Sequence, residues 1–128
     1  MTQFANNDTA ALVTLTAAGA GTTDSADQYN PYGAGVVLGI NISAKTGTID
    51  VVVKVQGKDV ASGQYYTIAQ TASLTSAAFS TLTVYPGIAA SSNVAISAVL
   101  PTTWRAEVVC GTGSTPAATL TVGASVIG

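Results

Sequence analysis

The sequence predicts an all-β fold: a single-domain antiparallel β-sandwich of about eight strands, Ig-like or jelly-roll in topology. Three observations predict it. Apolar and polar residues alternate with a period of two in segment after segment, the signature of strands with one buried face. Clusters of Gly, Pro, Asn and Ser separate those segments at regular spacing, as in sandwiches and barrels. Helical patterning is confined to one weak window, 71–79, which is rich in Ser and Thr. A chain of 128 residues matches one domain. It buries roughly two-thirds of its unfolded surface, enough for a core without disulfides or metals. Residues 1–10 lack periodicity and read as an N-terminal arm or tail; residues 11–128 read as the sandwich domain.

The clearest pattern lies at 48–70. Ile49, Val51, Val53 and Val55 alternate with Asp50, Val52, Lys54 and Gln56. Turn formers follow at 57–63, and Tyr65, Tyr66 and Ile68 resume the strand pattern. This predicts a hairpin with a long loop. In chain order, Leu12, Val13 and Leu15 suggest a first strand, and residues 19–27 a loop or weak edge strand. Asn30-Pro31-Tyr32-Gly33 is a turn signature. Residues 35–43 form a strong strand with Val36, Leu38, Ile40 and Ile42 on one face. Residues 44–47 then suggest a tight reversal, so that 35–56 is expected to be one antiparallel ribbon. Residues 71–78 read as a connection, 79–85 as a strand, and 94–99 as a short strand closed by Pro101. At 103–110, Trp104, Ala106, Val108 and Cys110 alternate with Arg105, Glu107 and Val109. Residues 111–116 form a flexible turn, and 118–127 a last strand.

Charge is scarce. Only 8% of residues are charged and the net charge is −2, against about 25% charged in ordinary domains. Such a surface offers little repulsion to self-association. Four basic residues cannot build the positive stripe that nucleic-acid binding requires. The N-terminus has no basic segment of the kind that opens a signal peptide. No apolar run reaches the ~18 residues of a membrane-spanning helix. One cysteine, Cys110, cannot form an internal disulfide, which fits a reducing compartment.

Histidine is absent from the sequence. The usual general base, the Ser-His-Asp and Cys-His arrangements and most zinc sites therefore have no basis here. Cys110, with no histidine to activate it, reads as a buried structural thiol. The carboxylates are scattered, with no glycosidase-like pairing, so no enzymatic activity, catalytic residue or cofactor is expected. Asp24, Asp27 and Asn30 supply oxygens of the kind calcium takes, but their spacing is not that of an EF-hand, and a solvated acidic loop is the better reading. Gly33, Gly35 and Gly39 precede no phosphate-binding helix, so they serve turns or bulges. Tyr29, Tyr32, Tyr65, Tyr66 and Tyr85 with Trp104 offer material for a sugar-stacking platform, although packing is their commoner use. Tyr65 and Tyr66 must face opposite ways, so one is expected to be exposed. Arg105 and Glu107 point the same way. Arg105 is the chain's one arginine and a natural interface anchor.

Four phrases combine into a resemblance: DVVVKVQGKDVASGQYYTIAQ at 50–70, LTVYPG at 82–87, VLPTTWRAEV at 99–108 and LTVGASVIG at 120–128. Together they resemble small proteins encoded in the structural gene clusters of tailed bacteriophages and prophages, over roughly residues 12–128. The resemblance implies a virion structural protein made in the host cytoplasm and placed on the capsid surface: a head decoration (cement) or minor capsid component. Its implied partner is the major capsid protein, with no nucleic acid and no membrane involved. Free strand edges in an uncharged sandwich add the expectation of a homo-oligomer, a dimer or trimer. Phe4 in the arm, Tyr66 and Arg105 are the candidate interface residues. The alternatives are a virion-surface or fibre domain that binds host glycans through exposed tyrosines, and a tail or connector component.

Overall fold

Alternation decides which side chains go inside. The computed structural model describes residues 11–29, 34–46, 50–111 and 117–127. These form ten strands: β1 (Val13–Ala18), β2 (Gly21–Asp24), β3 (Gln28–Tyr29), β4 (Gly35–Thr46), β5 (Val51–Asp59), β6 (Gln64–Gln70), β7 (Phe79–Val84), β8 (Ala95–Ile96), β9 (Thr103–Cys110) and β10 (Ala117–Ile127). In β9, Trp104, Ala106, Val108 and Cys110 are buried and the residues between them are half-exposed, because a pleated strand sends successive side chains to opposite faces. The same rule buries Leu82 and Val84 of β7, and Leu120 and Val122 of β10.

The strands form two stacked sheets. The first runs β1-β10-β4-β7-β8, and the second runs β2-β9-β5-β6 with β3 also on β9. All described pairings are antiparallel except β7 with β8, which is parallel. The all-β sandwich is therefore as the sequence predicts. The two strands beyond eight are β2 and β3, in and just after the 19–27 stretch read as a loop or weak edge strand. The strand expected over 94–99 shrinks to β8.

One expectation is corrected. Residues 35–56 are not a ribbon: β4 pairs with β10 and β7, whereas β5 pairs with β9 and β6. Each strand has a wholly apolar face, Val36, Leu38, Ile40 and Ile42 on one and Val51, Val53 and Val55 on the other. Pairing side by side would turn both faces the same way and leave the facing sheet to be built from other strands. Stacking them across the interior buries both at once. Each such side chain contributes about 1.5–3 kcal/mol when fully buried, against the entropy of ordering the chain.

The β5–β6 hairpin is present, but its loop is shorter than the turn-forming residues suggest. Gly57, Lys58 and Asp59 belong to β5 and pair with Tyr66, Tyr65 and Gln64. Gly57 serves close approach, not a turn. A Cβ there would lie 2.6 Å from Tyr66 Cζ and 2.8 Å from Pro101 Cγ. The turn itself occupies 60–63, where Gly63 takes φ +78° and its N–H donates to the Asp59 carbonyl at 2.7 Å.

Two buried hydroxyls complete the second sheet where strands stop short. The Ser25 Oγ accepts from the Ala106 N–H at 2.9 Å, between β2 and β3. The Thr71 Oγ1 accepts from the Val53 N–H at 3.1 Å, just past β6. Each supplies an acceptor to a strand N–H that is away from water. Trp104, only 1% exposed, is the largest fully buried side chain. Its indole N–H finds no acceptor among the described residues.

Candidate interaction surfaces

The outer face of the second sheet gathers much of the chain's scarce charge. Lys54 and Lys58 of β5, Arg105 and Glu107 of β9, Asp24 of β2 and Asp27 beyond it converge there. Strand register makes this inevitable. Glu107 lies directly between Asp24 and Lys54 across three strands, and Arg105 lies opposite Gln56. The Arg105 guanidinium sits 3.5 Å from the centroid of the Tyr65 ring. Its Nε donates to Gln56 Oε1 at 2.8 Å. Its Nη1 and Nη2 stand 3.3 Å from Asp24 and 3.5 Å from Glu107. The Tyr65 hydroxyl donates to Asp27 Oδ1 at 2.6 Å, and Lys58 Nζ meets Asp27 Oδ2 at 2.9 Å.

These contacts move two carboxylates in opposite directions. The Tyr65 hydroxyl, and after it Lys58, hold Asp27 below its ordinary pKa, and Asp27 in return raises Lys58. Burial, and then the adjoining Asp24 carboxylate, push Glu107 above its ordinary value despite Lys54 and Arg105. The face is internally compensated, with three cations meeting three anions. The Asp24 and Asp27 carboxylates are committed to Arg105 and Lys58, and no cluster of three or more metal-ligating side chains occurs among the described residues. Cys110 is buried at the C-terminal end of β9, and burial pushes its thiol up, away from nucleophilic use.

The outer face of the first sheet is its chemical opposite. Register builds a grid of three rows on β10, β4 and β7: Thr121–Asn41–Phe79, Gly123–Gly39–Thr81 and Ser125–Val37–Thr83. The middle row lacks two side chains, which leaves an open trough of about 450 Å³ over bare backbone. The Phe79 ring reaches diagonally over Gly39, with Cζ 3.2 Å from where a Cβ would stand, yet Phe79 is 67% exposed. No charged side chain lines the trough.

The sheet edges also differ. β1 carries a register shift and Ala17 at φ 46°, and β8 has two residues. β2 and β3 are short and flanked by Asp24 and Asp27. β6 is seven residues of uncharged sequence, QYYTIAQ, and pairs only with β5 among the described residues. Its single guard is the Asn93 amide, which donates to the Gln70 carbonyl at 3.2 Å.

Of the three expected interface residues, the two described ones, Tyr66 and Arg105, make separate sets of contacts. Phe4 lies outside the described residues, as do the rest of the arm, Asn30, Tyr32 and Gly33. Tyr66 is 48% exposed and rests on Gly57 and Pro101 at the rim of the core. Arg105 is engaged inside the chain through its three guanidinium nitrogens and one face of the group. Among the described tyrosines weighed as a sugar platform, Tyr29 is the most exposed, while Tyr65 lies beneath Arg105. Sequence reading passed over Phe79 and the Gly39–Gly123 pair. Phe79 falls on the polar side of its own strand's alternation, a visible signal, but the glycine pair needs the β4–β10 register to be seen.

No family model matches the chain, and no curated protein or solved structure matches it either.

Proposed function

We propose that this chain is a non-enzymatic virion structural protein of a tailed bacteriophage, a decoration (cement) protein that binds the major capsid protein and stabilises the head shell. The observation that carries this reading is the β6 edge. A long, uncharged, proline-free edge strand is a template for pairing with another chain, and natural sandwiches ordinarily blunt such edges. Beside it the charges of β5 and β9 are paired within the chain, so close packing in a dense lattice meets little electrostatic opposition. Contacts of this kind act through strand-edge hydrogen bonds and buried apolar area. The resemblance carried by residues 50–70, 82–87, 99–108 and 120–128 supports the same role. The edge also supports a homo-oligomer, and the arm with Phe4 is a second grip on the shell.

Quantitative mass spectrometry of purified virions of the encoding phage tests the role. A copy number approaching that of the major shell protein supports decoration. A small fraction of it moves the chain to a fibre, tail or connector, and absence from the particle overturns the reading. Thr67→Lys tests the edge: an exposed cation on β6 is expected to weaken self-association and shell attachment together, with the fold retained.

A further inference from the structure

We propose that the trough on the outer face of the first sheet is a binding site for a neutral saccharide, with Phe79 as its stacking platform. The inference rests on the grid and not on where the chain resides.

Glycine in a strand interior often marks a place where a ligand or another backbone comes close. Here two glycines, Gly39 and Gly123, stand directly opposite one another on the two longest strands. The chain's own packing does not demand them both. A Cβ at Gly123 would meet nothing within 4 Å, and one at Gly39 would meet only the Phe79 ring. Neither has a positive φ. The bare strip is therefore open to something outside the chain.

The lining specifies what that is. A pyranose ring has an apolar C–H face and a rim of hydroxyls that both donate and accept. Such a ligand needs a flat aromatic surface with uncharged hydrogen-bonding groups around it. Phe79 leans over Gly39 on one side and is otherwise open to solvent. Asn41, Thr81, Thr121 and Ser125 surround the strip, all exposed, and their side chains make no hydrogen bond among the described residues. Strands about 4.8 Å apart and rows about 6.8 Å apart along them give the trough the breadth of one or two sugar rings. Its volume of about 450 Å³ falls within the small-molecule range. The absence of charge in the lining selects neutral sugars over acidic ones. An open trough implies weak, millimolar binding, which repeated copies on an assembly would strengthen through avidity.

The test is an NMR titration of the full ¹⁵N-labelled chain with methyl α-D-glucopyranoside, methyl β-D-galactopyranoside and N-acetyl-D-glucosamine, with N-acetylneuraminic acid as the charged control. At least one neutral sugar is expected to give saturable shifts at the amides of Gly39, Asn41, Phe79 and Gly123, with none from the acidic sugar. Phe79→Ala removes the platform and Gly123→Val fills the trough. Each is expected to weaken binding at least about tenfold while resonances on the second sheet stay in place. The proposal is overturned if none of the three neutral sugars moves these amides, or if both variants bind as the parent does. It is also overturned if the same amides shift with protein concentration alone, since the face then belongs to a second copy.

Discussion

Arg105 concentrates more interactions than any other described charged side chain. Its guanidinium stacks on Tyr65, donates to Gln56 and contacts two adjoining carboxylates. Arg105→Ala would leave Asp24 and Glu107 facing each other without it and uncover the Tyr65 ring. A loss of about 1–3 kcal/mol is expected in urea unfolding. Arg105→Lys should recover only part of it, because an ammonium cannot stack flat and fork at once. The two shifted carboxylates give stability opposite pH dependences. Glu107 is raised, so its contribution is complete below the ordinary glutamate range and is lost as pH rises through its raised value. Asp27 is lowered, so its contribution is present above the ordinary aspartate range and is lost as pH falls through its depressed value. Stability is therefore expected to peak in mild acid. Glu107→Gln should flatten the alkaline side of the peak and Asp27→Asn the acid side, as read from thermal midpoints across pH. The shared direction of Arg105 and Glu107 was legible in β9's alternation. Tyr65 and Asp27 were not, since they come from another strand and a loop and meet only through register.

At the scale of elements, sequence alternation named the buried face of β4, β5, β7, β9 and β10 correctly. It could not say which strands lie side by side. A reversal after β4 is compatible with a hairpin and with a crossing to the other sheet, and the choice rests on which partners each strand finds, β10 and β7 for β4 and β9 and β6 for β5. Gly57 shows a similar ambiguity. Glycine beside Lys58 and Asp59 looks like a turn, but in the structure it makes room for Tyr66 and Pro101. The Gly39–Gly123 pair leads to a prediction about the β4–β10 ladder. Gly123→Thr adds a β-branched side chain in open space, so it should raise stability by about 0.5–1 kcal/mol, measured as a higher thermal midpoint. The same change partly fills the trough, so a more stable protein that binds sugar less well is the expected result.

At the scale of the molecule, the two outer faces divide the chemistry. One is held by internal ion pairs, and the other is neutral and bare along its middle. Composition foretold a charge-poor surface, but not that six of its charges would gather on one face, because that follows from strand order. Strand order has another consequence. β10 is the last of the ten strands along the chain, yet it lies in the interior of its sheet, between β1 and β4. During synthesis the ribosome therefore releases β1, β4 and β7 well before the strand that joins the first to the second. Until β10 emerges, β4 has one side without its partner and the apolar faces of β4 and β7 have half a sheet to support them. The first sheet cannot join β1 to β4 until β10 is available. A protein built in this way depends on fast completion, or on cellular holding factors, to keep those exposed strands from pairing with the wrong neighbours.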